Sequence, residues 1–158
     1  MRALLLLLVA CGPSGSFRLQ NRNYSADKIL TTRLAEDAVE GLIVTLKSDP
    51  IASATDDEIA VAVSLFWNKD QRPALNQDVT VGSELAVRAV PRVSCFCGAT
   101  DGAVTVPDVK GKLRLTRWTE TEASGDFELT FTGQVPYQGG GVLFESDTLK
   151  VNASGFGQ

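Results

Sequence analysis

The sequence predicts an all-β protein, an antiparallel β-sandwich or partly open barrel of about seven to nine short strands. Three observations carry this. From Gly41 onward apolar and polar residues alternate, the period of two that sends successive side chains to opposite faces of a sheet. Glycine, proline, asparagine and aspartate clusters recur between those segments as turn signals. Near the C-terminus two such segments face each other as a long hairpin, with Leu113 and Leu115 on one strand and Phe127, Leu129 and Phe131 on the other.

The first eleven residues follow a different pattern. One cation, Arg2, precedes the apolar run of Ala3, Leu4 to Leu8, Val9 and Ala10, and Cys11 follows at once. A cationic start, an apolar run and a small residue before a cut form the grammar of a secretory signal. As a helix the run from Ala3 to Ala10 spans about 12 Å against a hydrocarbon core of about 30 Å, so it is too short for a transmembrane anchor. A buried strand fits five leucines poorly, because strand cores favour β-branched and aromatic side chains.

Leu8-Val9-Ala10-Cys11 resembles the lipobox of bacterial lipoproteins, which has a branched residue three places before the cysteine and Ala or Gly just before it. The resemblance implies that residues 1–10 are a signal peptide recognised through Leu8, Val9 and Ala10. Cys11 would then become the first mature residue, carrying a thioether-linked diacylglycerol and an amide-linked third acyl chain. Each buried methylene contributes about 0.8 kcal/mol, and two or more chains give stable anchoring. The expected location is the bacterial cell envelope, held on a membrane through Cys11. Gly12 stands where the resembled enteric sorting rule places Asp for inner-membrane retention, which points to the outer membrane.

Residues 11–16 read as the lipid-anchored tether, since Gly12-Pro13-Ser14-Gly15-Ser16 is small, polar and turn-forming. Residues 17–158 then form one β-sandwich domain, long enough to fold without a metal or disulfide staple. From Phe17 to Val39 the pattern is mixed. Leu30, Leu34 and Ala38 suit a helical face with Ser25 as its cap, whereas Lys28 to Thr32 suits a strand, and the strand is the expectation.

Leu42, Val44 and Leu46 alternate with Ile43, Thr45 and Lys47 in the next strand, and Ser48 to Asp57 is a turn. Ile59 to Trp67 is the most apolar stretch, expected to be a central strand covered on both faces. Asn68 to Gln77 reads as a loop and Glu84 to Val90 as a strand, with Pro91 confining nearby pairing to an edge or corner. Short strands follow over Val93 to Cys97 and Val104 to Val106. The hairpin strands are expected over Lys110 to Trp118 and Asp126 to Thr132, joined by a polar turn ending in Gly125. Gly139 to Gly141 is a flexible turn, and Leu149, Val151 and Ala153 close the sheet.

Charge and composition exclude several functions. The chain has 15 Lys plus Arg against 19 Asp plus Glu, without the basic stripe that nucleic-acid binding needs, so no nucleic acid is expected as a partner. Its densest basic stretch, Lys110, Lys112, Arg114 and Arg117, reads as a solvated strand face before an anion patch. It has no histidine, which removes Ser-His-Asp and Cys-His nucleophile pairs and every histidine-containing metal site. No metal site and no cofactor are expected. With Cys11 taken by lipid, Cys95 and Cys97 remain of the three cysteines. Their spacing puts them about 6.6 Å apart along a strand, at the limit of a disulfide, so a strained bridge, two buried thiols and a metal or redox pair all stay open.

Asp56, Asp57 and Glu58, with Asp49 nearby, are dense enough for calcium but lack the spacing of a calcium loop and read as an exposed turn. Trp67 and Trp118 sit at strand ends, where an indole either caps the core or contacts a ligand or glycan. Together these features predict a noncatalytic envelope lipoprotein that acts by contact with envelope proteins, peptidoglycan or polysaccharide. The alternative is a carrier of small apolar ligands with a lipocalin-like cavity, for which Phe127, Leu129, Phe131 and Trp67 would line about 300 Å³ or more.

Overall fold

The computed structural model describes residues 12–19, 22–48, 59–94, 107–135 and 147–157. These residues form an all-β sandwich of two antiparallel sheets. Its strands are β1 (Ser14–Leu19), β2 (Arg22–Ser25), β3 (Lys28–Ala35), β4 (Val39–Ser48), β5 (Ile59–Asn68), β6 (Asp78–Gly82), β7 (Arg88–Ser94), β8 (Asp108–Trp118), β9 (Ala123–Gly133) and β10 (Asp147–Gly157). One sheet has the order β2-β1-β10-β9-β8-β6 and the other β3-β4-β5-β7. Ten strands among the described residues exceed the seven to nine expected.

The excess arises where composition hides strands. β1 begins at Ser14, inside the stretch expected to be tether. Ser14, Gly15 and Ser16 pair with Ser154, Ala153 and Asn152 of β10, so tertiary pairing overrides their turn-forming composition. A side chain at Gly15 would start 2.8 Å from Leu46 Cδ2 and 3.1 Å from Ile29 Cδ1, which explains the glycine. β6 has no counterpart among the expected strands, because its two valines alternate too briefly to stand out beside the preceding polar loop. The strand expected from Lys28 is present, and the helical alternative for that region is not adopted.

The well-patterned strands behave as their periodicity demands. Leu42, Val44 and Leu46 of β4 and Val61, Val63, Leu65 and Trp67 of β5 are fully buried, and Leu113, Leu115, Phe127, Leu129 and Phe131 meet them from the other sheet. Each such burial contributes about 1.5–3 kcal/mol. Two details differ from expectation. Gly125 lies within β9, opposite Leu115, and the turn before it spans Thr119 to Glu122, closed by Thr119 N–H donating to Glu122 O at 2.8 Å. The strand expected over Glu84 to Val90 begins only at Arg88, after a turn through Glu84 and Leu85, and continues through Pro91 to Ser94 as β7, an edge strand as the proline requires. A third expectation, that β5 is covered on both faces, needs correction. Its outward Ala62, Ser64 and Phe66 remain half-buried, and only Ala60 of that face is buried.

β3 touches the start of β1 through Ile29, and four residues later Arg33 hydrogen-bonds the turn that follows β8. β3 therefore runs obliquely against the six-stranded sheet, from its β1 side to the end of β8. At the opposite corner Val81 and Val87 form a parallel bridge that joins β6 to the start of β7.

Candidate functional site

The most developed polar constellation sits at the end of the sandwich where β4 begins and β5 and β8 end. Glu40 shares the register phase of Leu42, Val44 and Leu46, so its carboxylate points inward, and only 4% of the residue is exposed. Trp67, opposite it on β5, donates its indole N–H to Glu40 Oε1 at 3.1 Å. Arg72, placed just past the 3-10 turn Lys69–Gln71, grips the same carboxylate with both prongs, Nε to Oε1 and Nη2 to Oε2. This bidentate geometry is the strongest pairing a carboxylate makes with a side chain.

A second layer lies on the first. The Trp118 ring meets that of Trp67 edge-on, with centroids 5.2 Å apart at 63°. The Arg33 guanidinium stands 4.4 Å over Trp118, that of Arg72 5.7 Å, and Arg33 Nη1 also donates to the carbonyls of Thr119 and Glu120. Burial pushes the Glu40 carboxyl up, but the hydrogen bonds from Arg72 and Trp67 and the charges of Arg72 and Arg33 outweigh it, leaving it below the usual carboxylate range. The Arg72 guanidinium is held above its ordinary value by Glu40.

The structure thus brings together both tryptophans singled out as candidate ligand contacts, and turns them inward. Trp67 is wholly buried and Trp118 is packed by Trp67, Arg33 and Arg72, so the pair closes the end of the core. The cluster holds one carboxylate and no nucleophile, and its chemistry is that of a clamp. Glu40, Arg33 and Arg72 were not legible as partners, since hydrogen bonding joins positions 32 residues apart. The available signal was a glutamate in phase with three core residues.

Lys110, Lys112 and Arg114 point outward from β8 and lie opposite Thr130, Glu128 and Asp126, while Arg117 pairs with Glu122 at 2.5 Å. A depression of about 360 Å³ on this face is lined by Asp78, Lys112, Arg114, Glu128 and Asn152 among others, a mixture of both signs suited to water. Among the described residues no three or more Cys, Asp or Glu side chains converge as a metal site, and no helix is long and apolar enough to cross a membrane. Leu8, Val9, Ala10, Cys11, Cys95 and Cys97 lie outside the described residues, as do Asp49, Asp56, Asp57, Glu58, Val104 to Val106 and Gly139 to Gly141. Comparison with protein-family models, with curated proteins and with solved structures finds no match to this chain.

Proposed function

We propose that the protein is a noncatalytic lipoprotein of the bacterial cell envelope, anchored through acyl chains on Cys11, and that its β-sandwich acts as a contact module toward envelope proteins or glycans. The outer membrane is the proposed site. The observation that carries this is the lipobox-like Leu8-Val9-Ala10-Cys11 placed immediately before a folded domain. Only Gly12 and Pro13 separate Cys11 from the first residue of β1, so a lipid on that cysteine would hold the domain within about 10 Å of a bilayer.

The contact role draws support from the core. Trp67, Phe127, Leu129 and Phe131 belong to one continuous buried cluster built from both sheets, the arrangement of a packed interior rather than a ligand chamber. Metabolic acyl labelling of the wild type beside Cys11→Ser, with membrane fractionation, tests the anchor. Label and membrane association are expected in the wild type and neither in the variant. A wild-type protein that fractionates with membranes without label would overturn the proposal.

A further inference from the structure

We infer that the outer face of the four-stranded sheet is a docking surface for an anionic lipid bilayer. Strand register defines this face in four rows. They are Lys28, Lys47, Ala60 and Ser94; Leu30, Thr45, Ala62 and Arg92; Thr32, Ile43, Ser64 and Val90; and Leu34, Gly41, Phe66 and Arg88. No Asp or Glu occupies an outward position on any of the four strands, although acids outnumber bases in the chain, 19 to 15. The acids flanking these strands in sequence fall outside them: Asp27, Glu36 and Asp37 beside β3, Asp49, Asp56, Asp57 and Glu58 between β4 and β5, and Glu84 before β7.

The other sheet shows that this segregation is particular to one face. Its outward positions mix Arg18, Lys110, Lys112, Arg114 and Lys150 with Asp78, Asp126 and Glu128. On the four-stranded sheet, Lys28 stands directly across from Lys47 at one end of the face, and Arg88 and Arg92 share its far strand. Between its cations the face is apolar. Leu30 is 40% exposed, and Leu34, Ile43, Ala62, Phe66 and Val90 are half-buried. Arg88 lies 4.9 Å over the Phe66 ring, so an apolar ring and a cation are presented together, the pairing favoured at a headgroup boundary. Small side chains at Ala60, Ala62 and Ser64 keep the middle low, which suits flat contact at headgroup level rather than insertion.

Geometry and charge choose the occupant. A second copy seated on this face would oppose four cations with four cations. The tether, in contrast, leaves the fold beside the end of the face that carries Lys28 and Lys47. Gly15 abuts Ile29 and Leu46, its carbonyl accepts the Ala26 N–H at 2.9 Å, and Lys47 O accepts the Asp27 N–H at 2.8 Å. Acyl chains on Cys11 would therefore hold a bilayer next to Lys28 and Lys47; this step rests on the lipoprotein reading above. Each basic side chain near an anionic leaflet strengthens binding about fivefold, so four of them supply the second attachment signal that orients a lipid-anchored domain.

The test replaces Leu30 or Thr32 with photo-reactive benzoylphenylalanine in the full chain within cells, and Thr132, outward on the other sheet, as the control. Phospholipid adducts detected by mass are expected at positions 30 and 32 and not at 132, and Arg88→Glu with Arg92→Glu should reduce them about tenfold or more. Acyl labelling of the same preparations separates the two readings. Label without lipid adducts at 30 and 32, or protein adducts in their place, overturns the docking surface and leaves the anchor standing. If label is absent, flotation of the purified full chain decides: binding to phosphatidylcholine vesicles only when they contain phosphatidylglycerol supports the surface without the anchor, and no binding overturns it.

Discussion

A carboxylate turned into a sheet interior destabilises a protein unless its oxygens are filled, and Glu40 fills them with Trp67 Nε1 and two nitrogens of Arg72. Glu40→Gln keeps an acceptor for the indole but loses the charge, and should cost about 1 kcal/mol; Glu40→Leu leaves both donors unpaired and should cost about 2 kcal/mol. Both figures lie below the range for a fully buried pair because the Arg72 side chain is 47% exposed. The carboxyl is harder to protonate in the folded state than in the unfolded chain, so its stabilisation is complete above the unfolded value of about 4.3 and is lost as pH falls through the lower folded value. Urea denaturation of wild type and Glu40→Gln at neutral pH and near pH 3 should show the gap between them closing on acidification. A gap of constant size would mean that Glu40 acts through packing alone.

At the scale of strands, legibility tracked how many partners each element needs to justify itself. β4, β5, β8 and β9 place an apolar residue at nearly every second position, and a chain can be read that way without knowing its neighbours. β1 is different, because Ser14-Gly15-Ser16 becomes a strand only between β10 and β2, whose sequences lie elsewhere. Gly125 misled for a related reason. It ends no turn; a side chain there would collide with the Arg114 carbonyl, so close approach of β8 and β9 requires the glycine. The Trp67–Trp118 contact and its arginines depend on how one sheet packs on the other, which no local pattern encodes. The same dependence predicts an order of opening. β2 has four residues and one neighbour, whereas β9 lies between β8 and β10 for its whole length. In native-state hydrogen exchange, amides of Arg22 to Ser25 should exchange well before those of Phe127 to Phe131. Equal protection of the two segments would show that β2 is held by something beyond β1.

For the molecule as a whole the decisive contact joins its ends. β1 pairs with β10 across nearly the full chain, and Asn152 Nδ2 donates to Ser16 Oγ at 2.9 Å over a separation of 136 residues. The six-stranded sheet is incomplete until the last strand arrives, so stability resides in a collective core that local cross-links hardly influence. Cys95 and Cys97 give the sharpest case. A bridge between them would close a loop of three residues, worth about 1.6 kcal/mol of unfolded-state constraint at most by the chain-entropy relation. Phe131, wholly buried and opposite both Val109 and Leu149, sits where both halves of the sheet converge. Phe131→Ala should therefore cost about 3–5 kcal/mol, against no more than about 1.6 kcal/mol for Cys95→Ser with Cys97→Ser. Denaturant midpoints of the two variants under oxidising conditions measure the contrast. If the double cysteine variant proves the less stable, the fold depends on a staple that its core was argued to make unnecessary.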